Sequence, residues 1–129
     1  MIHYGFTKEL DIPYETVVEQ AREALKKEGF GVLTEIDIKG KMKEKLGLDM
    51  KKYIILGACN PPNAYKALLA EENIGLMLPC NVVVYERAGK TVLSMIRPTV
   101  AMKMIDNAEL QKIAEAIEGQ LKKAFDAIR

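Results

Sequence analysis

Histidine occurs once, at His3. A nucleophile in the middle of the chain therefore has no imidazole near it in sequence to act as its base. Cysteine occurs only at Cys59 and Cys80, too few for a disulfide framework in 129 residues. Their spacing matches neither the Cys-x-x-Cys of a dithiol oxidoreductase nor the close ligand pairs of a zinc ribbon, and zinc would need ligands from a second subunit or carboxylates such as Glu35 or Asp37. No excess of one charge is present: 19 basic side chains face 18 acidic ones, so no strong field draws nucleic acid or an anionic membrane. The basic stretch from Lys39 to Lys52 is interleaved with Glu44 and Asp49 and has no aromatic ring on which a base could stack. No apolar run approaches the roughly 20 residues of a spanning helix. No charged start followed by an apolar stretch and a small-residue cleavage site opens the chain, so the expectation is a cytoplasmic protein with reduced thiols. A glycine-rich phosphate loop, a Gly-x-Ser-x-Gly elbow, a metalloprotease helix and internal repeats are also missing.

What the chain does contain is two uncharged segments, Tyr53 to Tyr65 and Asn73 to Tyr85, in a sequence whose residues are 29% charged. Each carries one cysteine followed by asparagine. Such segments have to be buried, and they locate the core.

The hydrophobic period reports the elements around them. Tyr4, Phe6 and Leu10 suggest a first strand from His3 to Leu10. After Pro13, the residues Val17, Ala21, Ala24 and Leu25 recur at helical spacing until Gly29. Phe30, Val32, Thr34, Ile36 and Ile38 then occupy every second position, the pattern of a half-buried strand. Lys39 to Leu46 reads as a short frayed helix anchored by Met42 and Leu46. Tyr53 to Cys59 is apolar without alternation, which fits a central strand covered on both faces. Asn60 caps a helix that starts at Pro61 or Pro62 and turns Ala64, Tyr65, Leu68 and Leu69 inward.

The chain then re-enters the core through Ile74 to Leu78. Cys80 to Arg87 and Thr91 to Arg97 form a hairpin across Ala88-Gly89-Lys90. A final helix from Asn107 to Arg129 has an apolar stripe and a possible capping box in Asp106 and Glu109. This order predicts a single α+β domain over residues 1–129, a two-layer sandwich whose mixed sheet of about five strands carries three to four helices.

The candidate site is formed by the two Cys-Asn pairs with their prolines: Cys59, Asn60 and Pro61, then Pro79, Cys80 and Asn81. Cys59 lies where a strand meets a helix start, a place that favours a thiolate, and Cys80 could resolve it. The structural alternative is that both are small buried residues. Asn60 has a helix cap as its plain role and Asn81 a turn or strand-start hydrogen bond. An asparagine entering a valine-rich strand is nevertheless costly unless its amide is satisfied. Two thiols and two amides round one cavity could hold a small polar ligand, with the helix-start amides favouring an anion. The dispersed methionines, Met42, Met77, Met95, Met102 and Met104, read as core filler.

Gly57-Ala58-Cys59-Asn60-Pro61 and the run from Ile74 to Tyr85, with Glu28-Gly29-Phe30, resemble the pattern of the domain of unknown function 302. The resemblance covers nearly the whole chain. It implies a small α+β domain that commonly forms homodimers, and it implies no established activity. Two functions follow as expectations: a homodimeric small-ligand-binding or sensing domain with its pocket at Cys59, Asn60, Cys80 and Asn81, or a thiol-dependent redox protein or enzyme using Cys59 and Cys80. The cofactor is left open. The homodimer also follows from apolar content, because 49% of residues are hydrophobic and a two-layer fold leaves one sheet face uncovered; the expectation puts that face or an exchanged strand at the centre of the dimer.

Overall fold

The computed structural model describes residues 2–129. Five strands, β1 (Gly5–Leu10), β2 (Gly31–Asp37), β3 (Tyr53–Cys59), β4 (Cys80–Arg87) and β5 (Lys90–Ile96), form one sheet in the order β1-β5-β4-β3-β2. All four pairings are antiparallel, so the sheet is not mixed as the sequence suggested. The reason is the path of the chain. Helix α1 (Tyr14–Lys27) carries it from one edge of the sheet to the other, and β2 to β5 then meander back to meet β1. The middle strand is β4, not β3, which lies between β4 and the edge strand β2.

Four more helices follow: α2 (Ile38–Leu46), α3 (Pro61–Ala70), α4 (Pro98–Ala101) and α5 (Ala108–Ala127). A 3-10 segment over Glu72–Met77 precedes a cis Leu78–Pro79 peptide. The single turn α4 and this 3-10 segment exceed the three to four helices expected. Segment Ile74 to Leu78 buries Ile74 and packs Met77 and Leu78 against the core, while Leu76 is exposed.

The core lies between one face of the sheet and the helices. Register places Ile54, Leu56 and Ala58 of β3 opposite Val84, Val82 and Cys80 of β4, and Val84 and Val82 opposite Leu93 and Met95 of β5. All of these are buried, and Val17, Leu25, Leu110, Ile117 and Leu121 from α1 and α5 pack in the same cluster. A valine or leucine buried to this degree contributes about 1.5–3 kcal/mol.

Three local expectations change. In β2 the register shifts between Val32 and Thr34, so Val32 pairs with Ala58 on the helix side while Thr34 and Ile36 pair with Gly57 and Ile55 on the other. The bulge breaks the alternation, and the strand is an edge rather than a half-buried element. In α3, Ala67 is the buried residue, whereas Tyr65, Leu68 and Leu69 are 65%, 42% and 69% exposed. The cap of α5 is Asn107, whose Oδ1 accepts from Leu110 N at 3.0 Å, in place of an Asp106–Glu109 box.

A candidate groove on the open face of the sheet

The six residues singled out from sequence gather at the end of β3 and the start of β4, but they do not enclose a common cavity. Asn60 is buried and caps α3: its Oδ1 accepts from Asn63 N at 3.2 Å. Its Nδ2 donates to Gly29 O at 3.3 Å and to Gln120 Oε1 at 3.4 Å. One side chain thus ties together the end of α1, the start of α3 and the middle of α5, and its polar atoms are occupied. Pro61 is exposed on the first turn. The recess between Cys59, Asn60, Pro79 and Cys80 has about 10 Å³ of space, roughly the volume one water needs.

The thiols differ from their expected setting. Cys80 pairs with Ala58, so the cysteines come from neighbouring strands, yet alternation turns Cys59 to the opposite face from Ala58 and Cys80. Both are free. Burial, with a smaller contribution from Cys59, pushes the Cys80 thiol up to about 11, and burial also raises Cys59. The helix start does not offset this. Pro61 and Pro62 have no amide hydrogen, Asn63 N is taken by Asn60 Oδ1, and Ala64 N donates to Asn60 O at 2.9 Å. The donors that would hold a thiolate or an anion at α3 are absent or already bonded.

Asn81 belongs elsewhere. It is exposed on the helix-free face of the sheet, where β1, β5 and β4 form the bed of a groove of about 600 Å³. Alternation and register account for its lining. Along β4, Asn81, Val83 and Tyr85 share that face, Val83 pairs with Ser94, and Ser94 pairs with Thr7. The Thr7 and Ser94 hydroxyl oxygens lie 2.8 Å apart. At one end Tyr53 and Tyr85, opposite each other on β3 and β4, stack with centroids 5.1 Å apart and planes 7° from parallel. Tyr4 lines the groove as well.

Charges in the groove are satisfied within the protein. Glu9 Oε1 and Arg87 Nη2 pair at 3.0 Å, and Lys8 sends its ammonium away to Phe125 O at 2.6 Å. Burial, then the neighbouring Tyr85 and Tyr4, raise the Tyr53 hydroxyl, which stays protonated and able to donate at neutral pH. The arrangement offers an aromatic wall, neutral hydrogen-bonding groups and an apolar bed at Val83 and Ile96. Sequence reasoning missed it because its residues come from four strands. The available signal was the small and polar row Gly5, Thr7, Glu9, lying on the face that the helices leave open.

Among the described residues no helix is long and apolar enough to cross a membrane. No curated protein matches the chain. The crystal structure of an uncharacterized conserved protein DUF302 from Bacillus stearothermophilus is similar at 35% identity with a TM-score of 0.92, covering 99% of this chain and 100% of that one. The model of the family described as domain of unknown function DUF302 matches residues 6–128. With that match spanning almost every element of the fold, the chain belongs to the DUF302 family.

Proposed function

We propose that this protein is a small-ligand-binding domain whose ligand lies in the groove on the open sheet face. The supporting observation is the contrast in space: about 600 Å³ over β1, β5 and β4 against about 10 Å³ at the Cys-Asn recess. Ligand pockets generally measure about 300–1,000 Å³ with a few polar groups on a mostly apolar lining. Of the residues singled out from sequence, this reading keeps Asn81 as a ligand contact and gives Cys59, Asn60, Pro79 and Cys80 to packing. The two free thiols favour a reducing compartment such as the cytoplasm. The expected result is that members of a chemically mixed fragment panel, followed by amide chemical shifts in ¹⁵N-labelled protein, move Thr7, Asn81, Val83 and Ser94. Shifts confined to the Cys59–Cys80 end, or no shifts at all, would sink the reading.

The same domain is proposed to work as a homodimer joined at β2. This edge strand exposes Leu33 at 66% and Ile36 at 42%, and the next elements expose Leu46 and Leu48. An unpaired edge with aliphatic side chains is a template for another strand. Two β2 strands pairing about a two-fold axis would cover these residues and leave the groove, at the other half of the sheet, open. Sedimentation equilibrium at low micromolar concentration is expected to give twice the 14.4 kDa chain mass. Ile36→Lys, which puts a charge on the edge, should shift the protein toward monomer. A parent protein at monomer mass under these conditions rules the dimer out.

A further inference from the structure

We infer that the groove is shaped for an uncharged planar heteroaromatic ring system, of the nucleobase or flavin class, stacked beside Tyr85 with its polar edge on the Thr7–Ser94 hydroxyls and the Asn81 amide. The inference rests on the ligand-binding reading above and assigns the chemistry of the ligand.

Three features of the groove carry it. The first is a ready stacking surface. Tyr53 and Tyr85 already form a parallel pair, and the ammonium of Lys51 sits 4.7 Å from the Tyr85 ring centroid. Lys51 is exposed, so its place against the π-face is exchangeable with another electron-poor partner. A planar ring on such a surface is worth about 1–3 kcal/mol.

The second feature is the character of the hydrogen-bonding groups. Each hydroxyl of the Thr7–Ser94 pair can donate or accept, and an asparagine amide does both. Groups of that kind match a ring edge that alternates donors and acceptors.

The third is charge. Glu9 and Arg87 neutralise each other and Lys8 is bonded on the other side of the sheet, so these charged side chains lining the groove are already engaged; the Lys51 ammonium rests on the Tyr85 ring, the place the ligand would take. Dimensions agree with a ring system of two or three fused rings. Tyr85 and Asn81 are four residues apart on β4, a span of about 13 Å at ~3.3 Å per residue, and Ser94 lies beside Val83 midway between them.

The test titrates riboflavin, followed by its fluorescence, and adenosine, followed by calorimetry, into the intact protein. Saturable binding of at least one is expected, and the tighter of the two identifies the ring system. Tyr85→Leu should weaken it about tenfold, in keeping with the loss of one stacked ring. Asn81→Ala, an exposed position whose change leaves the fold intact, should weaken it severalfold. Tyr65→Leu, which removes an exposed tyrosine on α3, should leave it unchanged. Binding that survives both groove changes, or falls equally with Tyr65→Leu, overturns the assignment. If neither probe binds while non-planar fragments shift the groove amides, the ring class is wrong and the ligand site stands. If no fragment reaches the groove, both fall together.

Discussion

Gly57→Ala is expected to destabilise the protein by about 1–3 kcal/mol, the usual cost of forcing an extra carbon into a filled interior. A Cβ at Gly57 would stand 2.1 Å from Thr34 Oγ1 and 2.6 Å from Pro79 Cγ. Thr34 is on the edge strand and can turn its side chain. The Pro79 ring is bonded into the backbone and can move only with it. Gly57 pairs with Asn81, so the strain enters where β4 begins. Urea unfolding should show a lower midpoint with an unchanged slope. Gly75→Ala, where a Cβ meets nothing within 4 Å, serves as the control and should stay within about 0.5 kcal/mol of the parent. Equal stability of Gly57→Ala and Gly75→Ala would show that Pro79 does not press on β3. The same contact explains the shape of the open face: Pro79 lies over Gly57 and fills the sheet at its Cys-Asn end, so open space begins only beyond Asn81.

Raising the pH from about 9 to 11 should cost the folded protein about 2 kcal/mol through Cys80 alone. Cys80 is 6% exposed, and its thiol is pushed from the ordinary 9.0 up to about 11, chiefly by burial. Above pH 9 the unfolded chain releases this proton while the folded chain retains it, so unfolding is favoured increasingly as pH rises. The stabilising contribution is complete below the unfolded value and is lost as pH climbs through the folded one. Tyrosines also titrate in this range, so the measurement is the difference between the parent and Cys80→Ala in urea unfolding at each pH. The parent should lose stability more steeply than the variant. Parallel curves would mean that the thiol ionises as freely in the fold as in the unfolded chain. Alkylation should agree: at neutral pH Cys80 should remain unmodified in the native protein, and Cys59, half-buried and also raised by burial, should react slowly.

Much of the architecture is written locally. The 3.6-residue stripe from Leu110 to Phe125 determines α5 without reference to anything else, because one face of that helix must be hidden. The uncharged runs locate β3 and β4, since a stretch with no charge has to meet the core, but the expected cover on both faces is absent: Ile54, Leu56, Val82 and Val84 are buried while Asn81, Val83 and Tyr85 line the open groove. Asn60 followed by Pro61 and Pro62 determines where α3 begins, as a side-chain acceptor and two residues without amide hydrogens suit a first turn. The two Cys-Asn motifs likewise mark the ends of strands that are neighbours in space.

The sheet order, the faces and the site required the folded chain. Periodicity along one strand says that alternate residues share a face, but it does not say which face meets the helices or which strand lies alongside. The bulge between Val32 and Thr34 reverses the faces of β2 partway along, and no local pattern announces it. The groove depends entirely on such relations. Thr7, Ser94 and Val83 are distant in sequence and become one row only through the β1–β5 and β5–β4 registers. Asn60 and Asn81 follow cysteines in the same way, yet one is consumed in bonds to Gly29, Asn63 and Gln120 and the other lies open in the groove. Residue type and spacing determined where polar groups enter the core strands; only strand register and helix placement decided which of them were left facing solvent, because a side chain's freedom to bind is set by what packs against it.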